Sequence, residues 1–216
     1  MLDPQNSPAS ISFEDVTAGY GTSPAVISDF SLSLDAPVLA RLTGANGSGK
    51  STVLELLSGY LRPRLGLVKV NGFNASSDVA RVRRRICRTT PALYPSMTAR
   101  DHIVLASRSA AASPASGLAR AREYGLAPWL ESATGSLSTG NQRKLWLIMC
   151  SLGDFDVIVL DEPFNGLDDE GGERLQHELS IWSKSKLTLI VAHTIPMNLP
   201  VEREVQMEKW SSGRRG

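Results

Sequence analysis

Between Ile11 and Val16, and again at Phe30, Leu32 and Leu34, apolar residues alternate with polar ones. A period of two predicts half-buried strands, each placing one side chain in the core and the next in water. Gly19-Tyr20-Gly21 and Pro24 break the two runs apart as turn residues. Val38-Leu39-Ala40-Arg41-Leu42-Thr43 reads as a buried strand. Beyond a glycine-rich turn, Val53, Leu54, Leu56 and Leu57 fall on one face of a helix that Gly59 is placed to stop. Leu67 to Val70, closed by Asn71-Gly72, returns to alternation, so a small antiparallel sheet built with the early strands is expected.

After Pro95 the texture is helical as far as Gly153, with the Ser/Ala-rich stretch 106–119 around Pro114 expected as a loop between helices. Val157-Ile158-Val159-Leu160 and Leu187-Thr188-Leu189-Ile190-Val191 are β-branched runs bounded by turn signals, with a helical stretch over 168–184 between them. That spacing suits a parallel sheet, and the fold class expected is α/β. There is no internal repeat.

A length of 216 residues suits one domain, or one core carrying a lobe. Lys plus Arg is 23 and Asp plus Glu is 22, giving a net charge of +1. No chain-wide positive field exists to hold a nucleic acid or an anionic membrane, so neither is an expected direct partner. Arg81, Arg83, Arg84, Arg85 and Arg88 crowd one segment. They read either as a phosphate-binding patch or as a solvated helix face, and the face is the expectation because no aromatic residue interleaves with them. The apolar run Leu145-Trp146-Leu147-Ile148-Met149-Cys150 falls far short of the ~20 residues that span a bilayer. The opening MLDPQNSPAS has neither a basic start nor an apolar stretch, so no secretion signal is expected there. Cys87 and Cys150 lack metal-ligand spacing and are expected as unpaired thiols of a reducing compartment.

The strongest chemical signal is Gly44-Ala45-Asn46-Gly47-Ser48-Gly49-Lys50-Ser51-Thr52, which matches G-x-x-x-x-G-K-[ST] between a buried strand and an amphipathic helix. Gly44, Gly47 and Gly49 free the backbone to wrap a polyphosphate, with Asn46, Ser48 and Thr52 in the same turn and the helix dipole behind it. Lys50 is placed to reach the β- and γ-phosphates, and the Ser51 hydroxyl to take Mg²⁺. The rival reading is a flexible turn that happens to spell the motif. A second signal is the apolar strand that ends in Asp161-Glu162. Asp161 is expected to hold the metal through its water shell and Glu162 to orient the attacking water, against the alternative of two strand-end acids facing solvent.

These two motifs are common to many phosphate-binding enzymes, and the class comes from Leu137-Ser138-Thr139-Gly140-Asn141. Followed by Gln142-Arg143-Lys144 and an apolar helix, it resembles the LSGGQ signature of ATP-binding-cassette (ABC) ATPases. Tyr20 sits where that family places an aromatic residue against adenine, Asn165-Gly166-Leu167-Asp168 resembles its D-loop, and His193 follows an apolar strand as its switch histidine does. Taken singly, Tyr20 reads as a loop aromatic, His193 as a hydrogen-bonded strand-end histidine and Asp168 as a helix-start acid.

The resemblance implies a single cassette over 1–216: a P-loop NTPase with a RecA-like core, a small antiparallel β subdomain and a helical subdomain over roughly 92–152. It implies ATP and Mg²⁺ as cofactors, with Lys50, Glu162 and His193 catalytic, Ser51 and Asp161 at the metal, and Ser138, Gly140 and Asn141 reaching a second cassette's nucleotide in a head-to-tail dimer, expected as two copies of this chain. The alternative for Ser138 is an ordinary helix cap. The partner implied is a separately encoded transmembrane permease, through which alone the chain would meet the inner face of the cell membrane from the cytoplasm. The short stretch after His193 leaves no room for a regulatory domain, which leans the expectation towards export.

Three departures from the family pattern stand out. Where the family carries a glutamine downstream of the phosphate loop, Ile86-Cys87-Arg88-Thr89-Thr90-Pro91 has none, and Thr89 is the expected occupant at the metal. Its hydroxyl reaches less far than an amide. Thr139 and Asn141 replace a glycine and a glutamine of the signature, and Asn165 replaces the serine common before the D-loop. A hydrolysis-poor nucleotide-binding scaffold therefore stands as the second reading.

Overall fold

Strand pairing follows the alternation in the sequence. In the computed structural model, which describes residues 8–211, β1 (Ser10–Ala18) runs antiparallel to β2 (Ile27–Asp35), pairing Ile11 with Leu34, Phe13 with Leu32 and Val16 with Phe30. On its other side β1 pairs antiparallel with β4 (Leu65–Val70), which in turn pairs with the two-residue β5 (Phe73–Asn74). The order β2-β1-β4-β5 makes the expected antiparallel sheet. Its inward residues Ile11, Phe13, Val16, Phe30 and Val70 are fully or almost fully buried, with the Phe13 and Phe30 rings edge to face at 4.8 Å. The opening MLDPQNS, part of the stretch read for a signal, lies outside the described residues.

A second sheet has the order β6-β7-β8-β3-β9. Its strands are β3 (Val38–Thr43), β6 (Arg84–Cys87), β7 (Val157–Asp161), β8 (Leu187–Val191) and β9 (Arg203–Gln206). β3 is parallel to both neighbours, Leu42 facing Val191 on one side and Val205 on the other. α1 (Lys50–Ser58) buries Val53, Leu54, Leu56 and Leu57 in one cluster with residues of both sheets, and it ends at Gly59 in the left-handed region, as expected.

The chain divides into two compact units: among the described residues one covers 8–86, 155–159 and 181–211, the other 87–154 and 160–180. The first holds both sheets, apart from the ends of β6 and β7. The second holds α3 (Ala99–Ser109), α4 (Pro114–Glu123), α5 (Thr139–Cys150) and nearly all of α6 (Asp169–Trp182) around its own core of Ile103, Tyr124, Leu126, Leu145 and Ile148. The helical stretch read over 92–152 lies within this unit, which also takes in 160–180.

Two expectations need correction. The stretch 106–119 is mostly helix: only 110–113 links α3 to α4, because Ser113 caps the helix that Pro114 begins. Proline fits a first turn, where its missing N–H has no intrahelical partner to lose. The arginine-rich segment is a six-residue helix, α2 (Asp78–Arg83), running straight into β6, rather than one solvated face. Arg84 is buried and donates to the carbonyls of Ala75 and Ser58, while Arg83 grips Asp156 through Nε at 2.6 Å. Burial, with help from Arg81, pushes the Arg84 pKa down to about 10, which leaves it charged at neutral pH.

Candidate functional site

The phosphate-loop motif lies in the first unit, between β3 and α1. Gly44, Gly47 and Gly49 have φ of +151°, +79° and +101°. A Cβ at Gly49 would stand 2.4 Å from Ile27 Cγ2, and one at Gly44 2.5 Å from Ser48 Oγ, whereas one at Gly47 would meet nothing within 4 Å. The loop is thus packed from behind and open at its crest. Lys50 Nζ folds back onto the carbonyls of Gly44 (2.5 Å) and Ala45 (3.0 Å). Ser51 is exposed at the start of α1, Thr52 is buried, and Ser48 Oγ is buried with no hydrogen-bond partner among the described residues. Such an orphan fits a cradle built for a ligand. His193, just beyond β8, lies with Nε2 3.2 Å from Asn46 Oδ1.

Four side chains not expected from the sequence as site residues shape this region. Glu208 accepts the Ala45 N–H at 2.8 Å, and its neighbour Met207 packs behind Gly44. Arg41, read only as a strand residue, donates to the carbonyls of Ala192 (3.2 Å) and His193 (2.5 Å). Arg64 donates to the carbonyls of Gly21 (3.0 Å) and Ser23 (2.6 Å), tying down the turn that presents the half-exposed Tyr20. Only the neighbouring turn glycines hinted at Arg64; Arg41 and Glu208 carry no local signal.

The carboxylates and the signature lie in the second unit. Asp161 ends β7, and its Oδ2 accepts the Thr89 hydroxyl at 2.5 Å, so the residue expected in place of the missing glutamine meets the metal candidate directly. Glu162 has φ +44°, a left-handed backbone uncommon away from glycine. Ser138 caps α5 by accepting the Asn141 N–H at 3.2 Å, leaving the cap exposed. A Cβ at Gly140 would come 2.9 Å from the Gly166 carbonyl, so glycine is what lets the signature turn and the D-loop touch. Asp168 has both oxygens engaged, one by Lys144 Nζ at 2.7 Å and one by the Gly171 N–H at 2.9 Å. Lys144 first, then that amide, hold its carboxyl below the usual carboxylate range.

Ser51 in the first unit offers a hydroxyl, and Asp161 and Thr89 in the second offer a carboxylate and a hydroxyl; each is an oxygen donor of the kind taken by a hard cation such as Mg²⁺, which keeps several waters and phosphate oxygens of its own. Among the described residues no cluster of three or more His, Cys, Asp or Glu side chains forms an all-protein metal cage. Taken unit by unit, these donors have the chemistry of a substrate-borne Mg²⁺ rather than of a resident metal.

Comparison with known proteins agrees in kind. The family model described as ABC transporter matches residues 27–165. The taurine import ATP-binding protein TauB of Pseudomonas aeruginosa is 31% identical over 192 residues, covering 86% of this chain and 71% of that protein. The Nod factor export ATP-binding protein I of Burkholderia orbicola is 32% identical over 200 residues, with 87% and 64% covered. A solved ATP-binding subunit of an ABC transporter superimposes with a TM-score of 0.78 at 28% identity over 85% of this chain and 79% of that one. The chain also matches much longer A-family transporters, spanning 11% of member 4 from Dictyostelium discoideum and 4% of member 13 from Homo sapiens.

Proposed function

Because the chain belongs to the ABC transporter family as an ATP-binding cassette, an ATPase domain, we propose that it binds and hydrolyses Mg·ATP to drive a separate transmembrane partner. The observation that carries this reading is the phosphate loop: three glycines at positive φ, an unpartnered buried Ser48 hydroxyl, and a lysine resting on its own loop carbonyls until a phosphate replaces them. Lys50 and His193 contact the γ-phosphate, the loop amides carry the remaining phosphates, and Tyr20 stacks on the base. Glu162 holds the attacking water and takes its proton. Ser51 and Asp161, with Thr89, would hold Mg²⁺ when it is bound, and the ion would supply positive charge to neutralise the phosphates.

Ser138, Gly140 and Asn141 stand at the start of α5, where Ser138 takes the Asn141 N–H and the remaining first-turn N–H groups have no intrahelical acceptor, an arrangement suited to an anion brought by a second cassette. ATP thereby closes a head-to-tail dimer of two copies, and hydrolysis reopens it. Among the described residues no helix is long and apolar enough to cross a membrane. The proposed place, carried by the family likeness, is peripheral on the inner face beside a permease. Export is the proposed direction, and the relatives include an export and an import protein alike.

The test is Mg·ATP hydrolysis by the purified chain over a range of protein concentrations, with Glu162→Gln as control. Specific activity should climb with concentration and vanish in the control. Binding of ATP without turnover at every concentration favours the second reading, a hydrolysis-poor scaffold. That reading draws support from Thr89, whose short hydroxyl is already engaged by Asp161.

A further inference from the structure

Arg143 lies one turn beyond the Ser138 cap on α5 and is only 3% exposed. A guanidinium this deep ordinarily meets a carboxylate. Among the described residues it has none, and its four Nη protons are spent on main-chain carbonyls instead. Nη1 donates to Arg88 (2.7 Å) and Thr89 (2.8 Å), and Nη2 to Asp161 (2.8 Å) and Glu162 (3.0 Å). Its Nε is buried with no partner, so the fork is aimed wholly at these two segments. One planar group therefore fixes the backbone of Thr89, Asp161 and Glu162, three of the residues assigned above to the metal and the attacking water, including the left-handed turn at Glu162.

We propose that Arg143 is the positioning residue of the hydrolytic site, clamping the Thr89 segment and the Asp161-Glu162 turn to the signature helix so that the two carboxylates keep their aim. The inference rests on the function proposed above. Arginine suits the task because its donors are coplanar and rigid, whereas an ammonium is a point donor that cannot span two segments. Trp146, one turn further along α5, supplies an internal comparison: its Nε1 also donates to the Arg88 carbonyl, at 3.0 Å, with no bond to Asp161 or Glu162.

The experiment measures kcat, KM for ATP and Mg·ATP affinity by titration calorimetry in Arg143→Lys, Arg143→Met and Trp146→Phe, beside the parent and Glu162→Gln. Misplacing reacting groups by an ångström lowers turnover steeply, so kcat should fall about tenfold in Arg143→Lys and about a hundredfold in Arg143→Met. Affinity should stay within about twofold, because the phosphate loop is untouched, and Trp146→Phe should stay near the parent. The clamp is overturned if folded Arg143→Lys keeps the parent's kcat, if the loss falls on KM alone, or if Trp146→Phe loses as much as Arg143→Lys. Should Arg143→Met fail to fold by circular dichroism, Arg143→Lys decides. A Glu162→Gln variant as fast as the parent defeats the site assignment itself; a dead Glu162→Gln beside a normal Arg143→Lys defeats only the clamp.

Discussion

At Gly49 a single methyl group is enough to set two needs against each other. The residue holds φ +101° and faces Ile27 Cγ2 at a distance no Cβ tolerates. Gly49→Ala should cost about 1–3 kcal/mol in urea denaturation, through both strain and overpacking. Lys144 and Asp168 give a pH signature. Because the Asp168 pKa is depressed in the folded chain, the pair's contribution is complete above the ordinary carboxylate pKa and is lost as pH falls through the lower, folded value. Lys144→Met should therefore destabilise by at most about 1 kcal/mol at neutral pH, Asp168 being largely exposed, and the difference in melting temperature should vanish in acid. The two cysteines face each other as free thiols, and the bond to Cys87, then burial, pushes the Cys150 thiol up. Cys150 should resist alkylation at neutral pH in the folded chain and react once denatured, as read by mass shift. The glycines and lysine of the phosphate loop were legible because the backbone itself dictates those residue types. Arg143 was not, since a lone arginine beside a lysine in a helix looks like surface until the carbonyls it serves are brought to it from 88–89 and 161–162.

The same distinction governs whole elements. α1 announced itself by an apolar face and a stop, and the stop has a physical cost attached: a Cβ at Gly59, φ +73°, would lie 2.5 Å from the Ala75 carbonyl. Gly59→Ala should lower stability by more than the roughly 1 kcal/mol of a strain-free glycine exchange, with ATP affinity retained if the folded fraction is accounted for. β1, β2 and β4 were readable from alternation alone. β6 was hidden because Arg84 is buried with carbonyls for partners, which no polarity pattern reveals. The helix beginning at Pro114 was taken for a loop because proline and serine punctuate turns and helix starts alike.

For the molecule as a whole, the exposed Ser138 cap on α5, proposed above to receive an anion, makes an association prediction. Glu162→Gln, which is expected to bind ATP without consuming it, should elute as a dimer in Mg·ATP and as a monomer in ADP, and Ser138→Arg in that background should abolish the dimer by blocking the cap. The parallel sheet was foreseen as a class from two β-branched runs, but its edge strand β9 was not: Arg203-Glu204-Val205-Gln206 offers one buried residue and no period. That strand completes the bed on which the phosphate loop rests, since β3 lies between β8 and β9 and the Ala45 amide is held by Glu208. Translation makes the loop early and its supports late. A nascent chain halted between residues 53 and 202 carries the full nucleotide-binding motif yet has neither β9 nor the Glu208 contact beneath it. Synthesis thus orders the life of the molecule, deferring a properly seated nucleotide until residues 203–208 have left the ribosome.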